Sequence, residues 1–558
     1  MRKSMCAAAA VVMLINAFCL TSCSPGKVTP KPDPSDTSGT TVTAAASETT
    51  TETSAEETTE ATTETSETSI QTLVTPPDKG CQIAFPTGDV YNYDMDLKFD
   101  PDKKTVGGHV VFEYFNDSED TWKKLCMRDY PSLFAEDGSH GKNSDGGITE
   151  IENIEDDKCG KLKYKRDKED VSVLWIDLSE PLKPGEKRVL SYDFTAKIPA
   201  VADRFGYYKD IYNVTNFYPI LAEYRDGAWS HETFSDTGEC FYSEISNYKV
   251  KLDVPSGYIV ASSGEEIDSS EKDGILTYNF EAPFVRDFVF CAGDKLKKEQ
   301  KQLGDVMVNV YYNEADKPDI DLDKLVEKTY KTADISLTTY NSEFGKYPYD
   351  ELDILYATIA AGGMEYPNLV IIDNSEAETL ADDAHVVHLE MDICHEIAHQ
   401  WFMNIVGSDS GREPWLDETL ASYAEILYLQ ESGQEENSHI TWVSRERFDL
   451  SAADESKPDS MPHGMFETDT DYIDLAIDEY KDDFNYINNI YGLGKAFMYQ
   501  TEQLIGKEEL HAVIRAYVQA NAFKNADTED FFEVFYKYLG HDNDKVENMI
   551  DMMFSTLD

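Results

Sequence analysis

The chain has 558 residues, 41% of them hydrophobic, and a formal charge of −58 from 49 Lys and Arg against 107 Asp and Glu. That length exceeds what one core organises, so two or more domains are expected. So acidic a chain has no basic field to neutralise phosphates, which excludes nucleic acid as a partner.

The first 22 residues read as an export signal. Arg2 and Lys3 precede an apolar run over residues 7–20, too short to span a bilayer comfortably, and Leu20-Thr21-Ser22-Cys23 follows. The last four residues are similar to a bacterial lipobox, whose cysteine becomes the lipidated first residue; an ordinary cleaved signal fits the same run. Lipidation at Cys23 would anchor the exported protein at the bacterial cell surface. Residues 23–80 are rich in Thr, Ser, Glu and Pro and cannot bury enough surface to offset chain entropy, so a flexible stalk is expected there.

From 81 to 300 the pattern is alternation. Tyr91, Tyr93, Met95, Leu97 and Phe99 share one face of a period-two segment, as do Tyr248, Val250, Leu252 and Val254, with polar residues between them. Turn signals such as Asp100-Pro101-Asp102 follow, which predicts a mainly antiparallel β domain. Val306, Val308 and Val310 form one more strand. The period then changes: Leu322, Leu325, Val326, Thr329, Tyr330, Ala333, Leu337 and Tyr340 lie at helical spacing. Residues 352–356 and 369–372 are short strand candidates, so 301–558 is expected to be an α-rich domain with a small sheet. The fold class is α+β and multidomain.

Within that domain stands Cys394-His395-Glu396-Ile397-Ala398-His399 in a stretch without Gly or Pro, which predicts a helix over about 386–403. Residues four apart share a helix face, so His395 and His399 aim at one point while Glu396, rotated by about 100°, stands beside it, free to act as a base. Gly407 and Gly411 are expected to close this helix. Pro414 opens another, and Glu418 falls one turn in, where it can return to the two imidazoles. Three protein ligands with a fourth position left to water is a catalytic zinc arrangement, one Zn2+ per chain. His388 lies two turns from His395, too far to share the ion, and His385 is likewise set aside. Cys394 is expected to be a buried small hydrophobe, and the pairing of the remaining cysteines stays open.

These residues resemble the aminopeptidase N and leukotriene-A hydrolase family of gluzincin peptidases. Its signature is H-E-x-x-H, eighteen residues, then Glu; Glu418 stands here at that spacing within Trp415-Leu416-Asp417-Glu418-Thr419-Leu420-Ala421. Upstream, Gly362-Gly363-Met364-Glu365-Tyr366 is similar to the family's G-x-M-E-N exopeptidase motif, with Tyr366 where Asn is usual. Downstream, Tyr491-Gly492-Leu493-Gly494 resembles its Y-x-x-G helix start. The resemblance runs from about 81 to the C-terminus and takes in Asn216-Phe217-Tyr218-Pro219 and Thr237-Gly238-Glu239-Cys240; no counterpart of the family's amino-domain Gln is evident.

The resemblance implies a thermolysin-like catalytic domain that acts on peptides with a free N-terminus. Glu365, supported by Gly362, Gly363 and Met364, would bind the substrate amine, and Tyr491, with Tyr486 as its rival, would stabilise the oxyanion. The chain ends soon after its catalytic helices, without the large C-terminal helical domain of longer relatives, which implies a more open cleft. A thermolysin-like endopeptidase and a non-catalytic surface binding protein on the same scaffold are the alternative readings.

Overall fold

The computed structural model describes residues 75–556, apart from 137, 142–143, 232–233, 236, 240, 315–319, 382–385, 435–469 and 542. The export signal, Cys23, nearly all of the stalk, Cys240 and His385 lie outside the described residues.

The alternation in the first half becomes half-buried strands. Tyr91–Asp100 turns Tyr91, Tyr93, Met95, Leu97 and Phe99 inward and Asp94, Asp96 and Lys98 outward. It lies inside an eight-stranded sheet, antiparallel to Thr105–Phe115 and parallel to Ser246–Pro255. Trp122–Arg128 and Val173–Leu182, paired in a separate sheet, share its core, where Tyr93, Phe112 and Tyr248 stack beside Leu125 and Ile176.

The chain crosses into the next sheet before residue 300. The hairpin of Leu296–Leu303 and Val306–Asn313 starts a five-stranded sheet that continues through Glu351–Ala357 and Leu369–Asp373 to Gly363–Tyr366 at its edge. Helix α1 (Leu322–Glu343) begins at Asp321, whose side chain accepts from the Lys324 N–H. It packs on α2 (Val386–Ala398) and α3 (Leu420–Ser432). Tyr340 of α1 ties all three together by donating to the carbonyls of Cys394 and Ala424, each at 3.1 Å. Helices α4 (Asp483–Ile487), α5 (Lys495–Ile505), α6 (Lys507–Asn521), α7 (Thr528–Leu539) and α8 (Asp544–Met553) complete the body. The architecture is α+β, a β-rich half followed by a helical one. Among the described residues no helix is long and apolar enough to cross a membrane.

The helix of His395 and Glu396 is shorter than its sequence suggests. It ends at Ala398, not near 403, and the chain then descends in wide turns in which Asn404, Ile405 and Val406 donate to the carbonyls five residues back. Trp401 and Phe402 drive this exit. Both are buried, and the Trp401 indole donates to the Gly345 carbonyl at 2.7 Å. Met403 absorbs the bend with φ of 100°. Gly407 and Gly411 therefore do not close the helix. Gly407 instead pairs in a short parallel bridge with Asn525, and a Cβ there would lie 2.1 Å from the Arg286 guanidinium carbon. Arg286, buried at the junction of the two halves, donates to the carbonyls of Ser243, Asn404 and Lys524.

Among the described cysteines Cys81, Cys126, Cys159, Cys291 and Cys394 are free thiols. Cys394 is wholly buried, its thiol directed at the Met391 carbonyl, and packs as a small apolar side chain.

Candidate metal centre and active site

His395 and Glu396 project from the last turn of α2, and His399 is the first residue beyond it. The two Nε2 atoms stand 3.1 Å apart. Glu418 Oε2 lies 3.2 Å from that of His395 and 3.4 Å from that of His399. One donor atom from each of the three residues lies within 4.8 Å of the others, and all three side chains are buried. Each imidazole is fixed through its other nitrogen: His395 Nδ1 meets Glu425 Oε1 at 2.9 Å, and His399 Nδ1 meets the Phe402 carbonyl at 3.1 Å. With both Nδ1 atoms engaged, both Nε2 lone pairs face a common point.

Glu418 reaches that point by a local irregularity. Pro414 leads into a π turn, Trp415–Thr419, and only then does regular α3 begin. Such wide turns re-aim a side chain and recur at functional sites. A second one, Asn488–Gly494, joins α4 to α5 and carries Tyr491. The Y-x-x-G segment is thus an internal turn of a helical run, not its start. The two turns dock on each other: Thr419 Oγ1 donates to the Ile490 carbonyl at 2.8 Å, and a Cβ on Gly494 would sit 2.0 Å from that same oxygen. Glycine at 494 is what allows this approach.

The electrostatics suit a divalent cation. Burial opposes charge on His395, but Glu418 and Glu425 overcome it and push the imidazole up to about 10; His399 is raised to about 9, burial again opposed by Glu418. Burial and then the neighbouring Glu365 push Glu396 well above the carboxylate range. Burial also works against Glu425, yet the Lys495 ammonium and His395 hold it below that range. Carboxylates outnumber cations around two imidazoles that crowd at contact distance. Two His nitrogens and a carboxylate oxygen are the donor set that zinc takes in catalytic sites, so the residues present fit the metal.

The edge strand Gly363–Tyr366 lies over this centre. A Cβ on Gly363 would fall 2.2 Å from Glu396 Oε1, so the strand backbone runs against the base. Gly362 faces Asp392 at the loop, and Met364 is buried in the small core behind the sheet. Glu365 is buried, and among the described residues its Oε1 has no hydrogen-bond partner. Such an orphaned oxygen costs free energy unless a ligand satisfies it. The strand is held from two sides. Asn404 Nδ2 donates to the Glu365 carbonyl at 2.8 Å, and Gln400 Nε2 to that of Tyr366 at 3.2 Å. From the β domain, Thr215 Oγ1 and Asn216 Oδ1 meet the Tyr366 hydroxyl at 2.7 and 3.0 Å. A tyrosine in place of the usual asparagine therefore joins the two halves.

Glu239 also enters the cleft from the β domain. It pairs with Arg204 at 2.5 Å, and burial, opposed by Arg204 and assisted by Glu365 and Glu418, pushes its carboxyl up to about 8. Of the two candidate tyrosines, Tyr491 is part-exposed and its ring lies 5.9 Å from that of His395, nearly parallel. Burial and the adjacent Glu418 raise its phenol. Tyr486 is buried behind it, its hydroxyl so close to Gly238 that a Cβ there would be 2.5 Å away.

Among known proteins, residues 328–553 match the Peptidase family M1 domain. That match takes in His395, His399, Glu418 and Tyr491. It is 25% identical over 390 residues to aminopeptidase M1-B of Oryza sativa subsp. japonica, covering 67% of this chain and 41% of that protein. It is 24% identical over 374 residues to aminopeptidase N of Lactobacillus helveticus, covering 65% and 42%. The chain thus spans about two fifths of the length of these curated relatives. The fold is similar to the crystal structure of an M1 zinc metallopeptidase from Deinococcus radiodurans, with a TM-score of 0.58 at 16% identity, covering 84% of this chain and 95% of that one. A mutant of that metallopeptidase bound to a Tyr-Ser-Ala substrate matches with a TM-score of 0.55 at 16% identity, covering 84% and 95%.

The structure brings His395, His399, Glu418, Glu396, Glu365 and Tyr491 into one cleft, under the strand of Gly362, Gly363 and Met364. Sequence reasoning missed Glu425, Lys495, Gln400, Asn404 and Arg204, and named Glu239 without a role. Glu425 had a signal: seven residues after Glu418, it lies two turns along the same helical run. Gln400 and Asn404 directly follow the metal motif. Glu239 lies within the Thr237–Cys240 stretch of the resemblance, which gave it no role, and Arg204 carries no signal.

Proposed function

We propose that the chain is a zinc-dependent aminopeptidase that removes N-terminal residues from extracellular peptides. The observation that carries this reading is the pairing of a buried His-His-Glu donor set with the orphaned carboxylate oxygen of Glu365 in one cleft. His395, His399 and Glu418 would hold the metal. Bound there, zinc lowers the pKa of a coordinated water and polarises the scissile carbonyl. Glu396, beside the ligands and not among them, accepts the proton of the attacking water and passes it to the departing amine. The Tyr491 hydroxyl donates to the carbonyl oxygen as it gains charge.

Glu365 and Glu239 accept hydrogen bonds from the substrate ammonium, which positions the first peptide bond over the base. Glu239 would thereby do the work of the amino-domain Gln that the sequence lacks. With free and N-acetylated forms of one peptide, the wild type is expected to cleave only the free form, and a chelator to stop it. Glu365→Gln should raise KM for the free peptide about tenfold or more, from the loss of a charge-assisted contact. Equal cleavage of the acetylated peptide, indifferent to Glu365→Gln, would establish the endopeptidase alternative.

The same reading places the protein outside the cytoplasm on a lipidated Cys23, supported by Arg2, Lys3, the apolar run and the Leu20–Cys23 tetrapeptide. Cys23→Ser is expected to move the protein from the membrane fraction to the soluble one. Unchanged membrane association would remove the lipid anchor from the proposal.

A further inference from the structure

Behind the metal centre lies a buried ion pair that neither metal nor substrate would touch. Glu425, on α3, faces His395 Nδ1 through Oε1 at 2.9 Å and Lys495 Nζ through Oε2 at 2.7 Å. Glu425 and Lys495 are only 5% and 8% exposed, so both charges are withdrawn from water. The other imidazole is treated differently, since His399 Nδ1 meets a neutral backbone carbonyl. Lys495 is also the first residue of α5, four positions after Tyr491, and the Tyr491 ring lies along that of His395. The ammonium therefore joins the helix that follows Tyr491 to the helix that orients a ligand.

We propose that Lys495 and Glu425 form a clasp that positions His395 and Tyr491 together, making Lys495 a positioning residue for zinc affinity and for turnover. The inference rests on the reading of His395 as a metal ligand. Its physical basis is desolvation: a buried carboxylate is costly without a counter-charge. Deprived of Lys495, Glu425 abandons the geometry that accepts the Nδ1–H, and the imidazole is free to turn. The last turn that carries Tyr491 loses its tether to α3 at the same time. A purely structural pair would lower the stability of the fold and leave the metal affinity of folded molecules unchanged.

The test is a double-mutant cycle read as zinc Kd, by competition with a chromophoric chelator, on the full chain, with the thermal midpoint of each zinc-free protein recorded alongside. Glu425→Gln is expected to weaken zinc binding by about 10- to 100-fold, as for other partners of ligating histidines. Lys495→Met should weaken it about tenfold, and the double variant no more than Glu425→Gln alone, because the two act as one unit. The double variant has no unpaired buried charge, so it serves also where a single variant does not fold. At saturating zinc, Lys495→Met should lower kcat with little change in KM, and Lys495→Arg should recover part of the loss. Wild-type zinc affinity in Lys495→Met, or losses that multiply in the double variant, would overturn the clasp. Absence of zinc binding by the wild type would instead sink the metal assignment itself.

Discussion

Glu396→Gln is expected to lower kcat about a hundred- to ten-thousand-fold while zinc affinity stays at the wild-type level. The magnitude is that of a lost general base. The separation of effects follows from geometry. His395, His399 and Glu418 converge on one point, and Glu396 leaves the same helix on another bearing, its carboxylate against the backbone of Gly363. Gln conserves the volume and keeps a polar tip there, but its amide does not accept a proton from water. Parallel measurements of bound zinc and of single-turnover hydrolysis check this directly. Loss of zinc in this variant would make Glu396 a ligand, and wild-type hydrolysis would make it a bystander.

Tyr491→Phe should lower kcat about a hundred- to a thousand-fold, the usual cost of one oxyanion donor, with KM nearly unchanged. Tyr486→Phe should lower it at least ten times less. Sequence offers both tyrosines five residues apart, and the structure separates them. Tyr491 is part-exposed beside His395 and Glu418. Tyr486 is 2% exposed and its hydroxyl abuts Gly238. Steady-state kinetics of the two variants with one free peptide decides between them, and the reverse ranking would reassign the oxyanion donor.

The parts of the site that are legible in sequence are those written within one or two helical turns. His395, Glu396 and His399 are fixed by a single helix period, and the strands of the first half by strict alternation. What escaped depends on tertiary packing. The premature end of α2 is set by the burial of Trp401 and Phe402, which local propensity does not encode. The π turns that aim Glu418 and Tyr491 arise because Thr419 and Gly494 dock at close range, a contact 75 residues apart in sequence. Arg204 and Glu239 reach the cleft only because the β domain folds over it. Tyr366, a departure from the family motif on paper, has a clear role once Thr215 and Asn216 are seen to hold it.

That tether has a mechanical consequence. The strand carrying Glu365 is fastened at Tyr366 to the neighbouring β domain, while the His-His-Glu donor set sits at the end of α2, just beyond it and in the turn before α3. Glu365 and the base thus share one half of the molecule, and the β domain braces their wall only from its outer end, at the Tyr366 hydroxyl. A hinge opening between the halves would first release that brace, and the wall of Glu365 would then rest on its sheet neighbour and on Gln400 and Asn404 alone.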